Sequence, residues 1–220
     1  MDCPLCNAPA DFFVRTSLRD WHQCSRCALR FVPAAQHPPA GIEKARYDLH
    51  RNDPADSGYV AYLSRLFLPL RERLMPGARG LDYGSGPAPV LARLFTDAGF
   101  PCEPYDVFYA PETGRLASQY DFLACSEAIE HFFHPREEFE RFLKLVRPGG
   151  WIGIMTQLYD EAAQPFDQWH YTRDVTHVCI FARATFQWLE KRYGLSAEYH
   201  PRGVVLFRNT QTASRGNDNT

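Results

Sequence analysis

The sequence predicts an α/β protein with a mostly parallel, doubly wound sheet, preceded by a small four-cysteine module. Two observations support this prediction. From about residue 77 onwards, short apolar runs alternate with helical patterns, which is typical of a parallel sheet with helices on both faces. Before them, two CxxC pairs lie within residues 1–35, a segment too short to bury a sufficient core of its own.

The composition is that of an ordinary globular protein. Apolar residues make up 45% of the 220 residues, and 24 Lys and Arg face 26 Asp and Glu, so the formal net charge is −2. This balance argues against a strongly basic nucleic-acid binder, and we expect no DNA partner. No apolar run approaches the ~18 residues of a membrane span and no signal peptide is visible, so we expect a cytoplasmic location.

The N-terminal module contains Cys3 and Cys6 in one CxxC pair and Cys24 and Cys27 in the other, with 17 residues between the pairs. Two such turns supply four thiolates, the donor set of a closed structural zinc site. We therefore predict a zinc ribbon over residues 1–35, in which the ion supplies much of the free energy of folding. Four incidental cysteines, or a redox pair, are the alternatives.

Residues 36–76 read as a linker followed by lid helices. Proline, alanine, histidine and aspartate dominate the first half, which favours turns. A helix is predicted to begin near Asp56 or Ser57, because apolar residues then recur every three or four positions from Val60 to Leu74. Pro69 lies inside this stripe and is expected to kink or split the helix.

Residues 77–209 are predicted to form the α/β domain, and residues 210–220 a disordered tail without apolar residues. Predicted strands cover residues 80–83, 100–105, 120–125, 151–155, about 195–200 and 203–208. Predicted helices begin at Val90, Pro135 and Ala184, and end before Gly99, at Pro148-Gly149-Gly150 and at Tyr193.

The turn after the first of these strands, in LDYGSGPAP, contains Gly84 and Gly86. Glycine lets a ligand approach the backbone closely, and the N-terminus of the following helix offers free N–H groups. Asp106 ends the next extended segment, where a carboxylate can bind both hydroxyls of a ribose. A dinucleotide fingerprint would have a third glycine at position 89, which is proline here, so NAD and FAD are disfavoured.

Four ordered elements, LDYGSG, Asp106, YDFLACSEAIEH and RPGGWIGIM, together resemble class I S-adenosylmethionine-dependent methyltransferases over about residues 58–208. The resemblance implies a Rossmann-like fold. It also implies the residues that contact S-adenosylmethionine, with Asp106 on the ribose and the others around the methionine and ribose: Asp82, Gly84, Gly86 and Glu127.

Two departures from the family pattern affect one edge of the domain. Ala88 stands where many members have a third glycine. Only 13 residues separate Asp106 from Tyr120, where the family usually has a helix and a further strand. We therefore predict a sheet with a shortened edge, and the resemblance does not define the adenine pocket.

Glu127, Glu130 and His131 follow the predicted strand 120–125, at offsets that could place them on one helical face. Carboxylates with an imidazole suit Mg²⁺ or Mn²⁺. ExxEH also resembles the motif of ubiquinone-pathway O-methyltransferases and of small-RNA 2′-O-methyltransferases. That resemblance implies a later histidine ligand, His177 or else His170, and an ion that lowers the pKa of the acceptor hydroxyl.

Two alternatives compete with this metal site. Glu130 and His131 could merely cap and anchor a helix, and His177 or His170 could act as a general base without metal. The catalytic candidates are therefore His177, His170, Glu130 and His131. Tyr47, His50 and Asn52, before the first long helix, are candidates for closing over the cofactor.

The acceptor has three interpretations. A small hydroxylated or phenolic molecule fits the slightly acidic charge balance and the aromatic residues around the predicted site. An RNA acceptor would make the zinc ribbon an adaptor, although residues 1–35 contain four arginines, no lysine and three aspartates. A non-catalytic module that uses zinc to dock a partner is the third interpretation.

Overall fold

The computed structural model describes residues 1–49, 52–159 and 164–210, which form two sheets and five α-helices. The strands are β1 (Ala10–Arg15), β2 (Asp20–Cys24), β3 (Arg30–Phe31), β4 (Gly80–Tyr83), β5 (Cys102–Tyr105), β6 (Tyr120–Ser126), β7 (Val146–Met155), β8 (Cys179–Ile180), β9 (Ser196–His200) and β10 (Val204–Arg208). The helices are α1 (Ala40–Tyr47), α2 (Ser57–Arg71), α3 (Val90–Asp97), α4 (Pro135–Leu145) and α5 (Arg183–Tyr193).

Some sequence predictions concern residues outside the described part of the chain. These are His50 and all of the predicted tail except Thr210. Within the described ranges, no helix combines the length and the apolarity needed to cross a bilayer.

The larger sheet has six strands in the order β5-β4-β6-β7-β10-β9. The first four strands pair in parallel, and β10 is antiparallel to both its neighbours, which confirms the mostly parallel α/β sheet. Between β5 and β6 the chain forms a 3₁₀ turn, Thr113–Ala117, in place of a further strand and helix. The predicted shortened edge is therefore present, and β5 is an edge strand that tolerates Pro104.

Helices cover both faces of this sheet, as a doubly wound fold requires. Successive side chains of a strand point to opposite faces, and β6 shows this alternation. Phe122 packs in the cluster formed with α2 and α3, where its ring lies 4.6 Å from that of Phe95. Leu123 belongs to the opposite cluster with Phe142 of α4 and Phe186 of α5.

The start of the helix before the domain agrees with its prediction, and two other features differ. α2 begins after Asp56, whose carboxylate caps it by accepting the N–H groups of Gly58 and Tyr59. It is not split at Pro69, because this residue lies in the last turn and costs only one helical hydrogen bond. α2 buries Leu66 and Leu70 against the sheet. The expected linker also contains α1, which buries no side chain.

The end of α4 also lies earlier in the chain than the sequence predicts. The helix ends at Leu145, and the Pro-Gly-Gly segment belongs to β7, where the pairing with β6 shifts register. A Cβ on Gly150 would lie 2.5 Å from the carbonyl oxygen of Asp121. Gly150 is therefore needed for the close approach of β6 and β7. In the sequence alone, the Pro-Gly-Gly pattern looks the same as the end of a helix.

The smaller, antiparallel sheet has the order β1-β2-β3-β8. Its first three strands belong to the four-cysteine module. The fourth, β8, comes from the loop between β7 and α5, with Phe31 opposite Cys179. The module is thus part of a sheet that includes a segment of the α/β domain.

Candidate active site

A cavity of about 590 Å³ opens at the carboxyl ends of β4, β5 and β6. This is where parallel α/β sheets bind ligands. Eight of the predicted site residues line it: Asp82, Gly84, Gly86, Asp106, Glu127, Glu130, His131 and His177. His170 does not line the cavity. It is exposed, with its ring beside Trp169, so the structure does not bring it to the other candidates.

The glycine turn follows β4 with positive φ angles, +77° at Gly84 and +66° at Gly86. A Cβ on Gly84 would lie 2.5 Å from the Cβ of Ala128, so this position has no room for a side chain. The N–H groups of the turn itself are already bonded, whereas the expectation of free N–H groups concerned the N-terminus of α3. Gly84 and Ser85 donate to the carbonyl of Tyr105, and Gly86 donates to Asp106 Oδ2. The turn therefore offers a ligand close approach and not amide donors.

Two aspartates organise the backbone around this turn. Asp82 is buried at the end of β4, and its Oδ2 accepts the N–H of Ala92 in α3 at 3.1 Å. Burial raises the pKa of Asp82 to about 7. Asp106 Oδ1 accepts the N–H groups of Phe108 and Tyr109, while Oδ2 accepts only Gly86 among the described residues. Asp106 thus fixes the loop after β5 and keeps lone pairs on Oδ2 for a ligand.

Glu127 and Glu130 do not share a helical face, contrary to the sequence prediction. Glu127 has φ +49°, which separates it from the short 3₁₀ helix Ile129–His131. Both carboxylates instead meet the hydroxyl of Tyr171, which donates to Glu130 Oε1 and lies 3.3 Å from Glu127 Oε2. Thr156 donates to Glu130 Oε2 at 3.0 Å. Burial raises the pKa of both glutamates, and the charge of Glu127 raises that of Glu130 further.

Glu130, His131 and His177 form a group whose possible ligand atoms all lie within 4.8 Å of one another. Nδ1 of His177 lies 2.7 Å from the carbonyl oxygen of Tyr171, and Nδ1 of His131 lies 3.0 Å from that of Thr176. A carbonyl accepts only, so each ring donates from Nδ1, and the neutral form of such a ring has its lone pair on Nε2. Metal-binding histidines are held in this way. Burial lowers the pKa of His177 to about 4, so the ring is neutral at pH 7.

The donor set of this group fits some divalent ions better than others. It contains one carboxylate and two imidazoles, and Glu127 lies outside it. Because Mg²⁺ prefers oxygen ligands, whereas imidazole suits first-row transition metals such as iron and zinc, these residues fit a transition-metal ion better than Mg²⁺, and Mn²⁺ is the transition metal of the two predicted ions. The low pKa of His177 also makes the ring a weak general base at neutral pH.

The four cysteines of the N-terminal module are buried and close together. Sγ of Cys3 lies 3.6 Å from that of Cys27, and Sγ of Cys6 lies 3.3 Å from that of Cys24. Tetrahedral zinc with Zn–S bonds of about 2.3 Å would separate its sulfurs by about 3.8 Å. Each CxxC is followed by a residue in the left-handed region, so the two turns have the same shape. The cluster could therefore hold one zinc ion.

The cavity is lined by carboxylates and tyrosines. Glu43, Glu138 and Asp174 join the four acidic residues predicted from the sequence, and neither lysine nor arginine lines the cavity within the part of the chain that the structure describes. Tyr47 and Asn52, predicted to close over the cofactor, both line it. Glu43 was missed. Its spacing from Tyr47 could have indicated this residue, because positions four apart lie on one face of a helix. The Tyr47 hydroxyl donates to Glu43 across this turn.

Comparison with known proteins gives a family and several similar folds. The family model described as "Methyltransferase domain" matches residues 55–200. A ubiquinone biosynthesis O-methyltransferase of Erwinia tasmaniensis is 32% identical over 77 residues, which are 35% of this chain and 32% of that protein. The match therefore spans about a third of the length of this curated relative.

Two solved structures illustrate the similarity of fold. Magnesium protoporphyrin IX methyltransferase from Synechocystis PCC 6803, with bound S-adenosylhomocysteine, gives a TM-score of 0.55 at 12% identity, over 77% of this chain and 94% of that one. The 1,6-didemethyltoxoflavin-N1-methyltransferase of Burkholderia thailandensis, with bound 1,6-didemethyltoxoflavin and S-adenosylhomocysteine, gives 0.53 at 16% identity, over 93% and 100%. At these identities the likeness concerns the fold alone.

The Tyr171 hydroxyl yields a first prediction. We expect Tyr171→Phe to lower the free energy of unfolding by about 1–3 kcal/mol, because buried Glu130 would lose one of its donors. Urea denaturation at neutral pH measures this loss. Tyr199→Phe is the matched control, since it removes a hydroxyl bonded to Glu190 in a half-buried position away from the cavity. Equal losses in the two variants would contradict the prediction.

Proposed function

The chain belongs to the methyltransferase domain family, and from this premise we propose that it transfers the methyl group of S-adenosylmethionine to a hydroxyl of a small molecule. The observation that supports the proposal is one cavity that contains both the glycine turn with Asp106 and the group of Glu130, His131 and His177. The two solved relatives with S-adenosylhomocysteine in their names support the choice of cofactor.

The residues around the glycine turn fit this cofactor. Asp106 Oδ2 would accept a ribose hydroxyl, and the backbone at Gly84 and Gly86 would allow the close approach. Ser85 Oγ is buried at the cavity and has no hydrogen-bond partner among the residues that the structure describes, and a polar ligand would supply one. When bound, S-adenosylmethionine supplies an electrophilic methyl group on a sulfonium, a cation that suits a cavity lined by carboxylates.

The acceptor side would be formed by Glu130, His131 and His177. These residues would hold a divalent ion, for which Mn²⁺ is our choice, and such an ion lowers the pKa of a bound hydroxyl. The chain supplies the positioning: Tyr171 and Thr156 fix the carboxylate of Glu130, and backbone carbonyls fix both imidazoles. In the transfer, the acceptor hydroxyl gives up its proton to solvent, an oxygen lone pair forms the new bond to the methyl carbon, and the C–S bond breaks so that sulfur keeps the electron pair and S-adenosylhomocysteine leaves.

We infer further that the acceptor is uncharged or cationic, and aromatic. An anion would enter a cavity whose lining has seven carboxyl groups and, among the described residues, no lysine or arginine. Burial raises the pKa of Asp82, Glu127 and Glu130, and Asp174 and Glu138 are paired with Arg46 and Arg141, so the repulsion comes mainly from the remaining charged groups, Asp106 among them. Like charges in a partly dehydrated site repel strongly. The same argument weighs against RNA, whose phosphates require cations. Tyrosine and phenylalanine rings, among them Tyr47 and Phe108, are suited to pack on an aromatic acceptor.

We also propose that Cys3, Cys6, Cys24 and Cys27 hold a structural zinc ion. The support is their burial, their spacing and their free thiols. All four ligand positions would be occupied by thiolate, so this ion would take no part in the chemistry. Free cysteines persist in a reducing compartment, which agrees with the cytoplasmic location that we propose.

Cofactor binding is tested by calorimetry with S-adenosylhomocysteine. We expect the wild-type chain to bind it and Gly84→Ala to weaken binding at least about tenfold, because the new Cβ would push Ala128 towards the cavity. Gly194→Ala is the matched control. It introduces the same left-handed strain at the end of α5, where a Cβ meets nothing within 4 Å. A wild-type chain that does not bind, or two variants with equal affinity, would contradict the proposal.

Acceptor charge is tested with three probes that differ by one substituent: catechol, dopamine and 3,4-dihydroxybenzoate. With S-adenosylmethionine and Mn²⁺, we expect methylation of catechol and dopamine and at least about tenfold slower methylation of the benzoate, because its carboxylate is repelled. Glu43→Gln should reduce the difference in rate between catechol and the benzoate, because it removes one acidic group from the cavity. Equal rates for all three, methylation of none, or methylation of a short RNA would contradict the inference, as measured by transfer of labelled methyl.

Different substitutions are expected to remove the two metal ions. Cys24→Ser should remove zinc, and His131→Ala should remove Mn²⁺ binding while zinc stays, because the ligand sets share no residue. Elemental analysis measures zinc, and paramagnetic resonance measures bound Mn²⁺. Cys102→Ser, a change at a cysteine outside both groups, is the control that should retain both ions. A wild-type chain without zinc would refute the ribbon.

A further inference from the structure

Arg19 is a buried cation of the four-cysteine module that faces the α/β domain. It lies between β1 and β2, is 7% exposed, and its guanidinium lies 5.2 Å from the centre of the Trp21 ring. Nη1 donates to the carbonyl of Val175 at 2.7 Å and Nη2 to that of Asp174 at 2.6 Å. Burying a charge is costly unless hydrogen bonds compensate, and here two backbone carbonyls accept from Nη1 and Nη2, while Nε is buried without a partner among the described residues. Both of these hydrogen bonds go to one loop, residues 174–178, which we call the His177 loop.

The backbone of the module reaches the same loop. The N–H of Val32 donates to the carbonyl of Val178 at 2.9 Å, directly beside the pairing of β3 with β8. The N–H of Val178 donates in turn to the carbonyl of Glu130 at 2.8 Å. One residue therefore connects the four-cysteine module to the segment that contains Glu130.

The His177 loop determines where both imidazoles of the candidate site lie. It contains His177, and its Thr176 carbonyl accepts the Nδ1–H of His131. The Asp174 carbonyl that accepts Arg19 also accepts the N–H of His177 at 3.2 Å. A shift of this loop would therefore move His177 and change the orientation of His131 together.

From these contacts we propose that the four-cysteine module positions the His177 loop, with Arg19 as the positioning residue. The module is then neither an adaptor for RNA nor a docking surface but a scaffold of the acceptor site. This inference depends on the proposed function only in the identity of the divalent ion that the two histidines help to bind. The cofactor site lies on the glycine turn and takes no contact from Arg19.

The test compares Arg19→Ala with Arg15→Ala in the full chain. Arg15 belongs to the same hairpin but is exposed, and pairs with Asp20. We expect Arg19→Ala to weaken Mn²⁺ binding at least about tenfold and to speed amide hydrogen exchange at His177 and Val178, while zinc content and S-adenosylhomocysteine affinity stay at the wild-type level. Arg15→Ala should change none of these quantities.

Several results would overturn the inference. Wild-type exchange and Mn²⁺ affinity in Arg19→Ala would do so, as would an equal loss in Arg15→Ala or a parallel loss of S-adenosylhomocysteine affinity. If Arg19→Ala fails to fold, Arg19→Lys decides, because lysine keeps the charge but cannot span both carbonyls, and faster exchange at His177 is still expected. A wild-type chain that fails to bind S-adenosylhomocysteine refutes the proposed function, whereas the exchange comparison still decides the role of Arg19.

Discussion

The full burial of one carboxylate, that of Glu130, is the constraint on which the arrangement of the site depends. A buried acid must be supplied with donors, and Tyr171 and Thr156 supply them. Tyr171 lies on the long segment before α5, and the backbone carbonyl of Glu130 holds Val178 of that same segment. In the same segment, His177 lies close to Glu130, and strand β8 pairs with β3. One acid thus organises a segment whose described residues form only two short 3₁₀ helices and the two-residue strand β8.

Much of the fold could be predicted because its signals are local. The spacing of apolar residues and the Asp56 cap predicted α2. An apolar strand, a glycine turn and a helical pattern in succession predicted β4 and α3. The errors occurred where tertiary packing gives a residue another role. Gly150 resembles a helix stop, yet it serves the close contact between β6 and β7. α1 was missed since it buries no side chain, and so has no apolar stripe to reveal it.

The candidate site was predicted as a set of residues, but not as a geometry. Strand ends and the ExxEH spacing identified eight of the residues that line the cavity. The left-handed backbone at Glu127 is not encoded by any local pattern, and it decides that Glu130 and not Glu127 joins the two histidines. Likewise Tyr171 had an aromatic signal in the sequence, whereas its role as a donor depends on a contact across 41 residues. Such contacts follow only from the folded chain.

The shortened edge of the large sheet has a consequence for solubility. A strand without a neighbour presents unpaired backbone groups, and these invite pairing with a second chain and aggregation. At the middle of β5 this is prevented, because Pro104 has no N–H to offer and its carbonyl is taken by the guanidinium of Arg115. Glu103 adds a charge beside it. A further strand would therefore find no backbone donor at Pro104 and an acceptor that is already engaged.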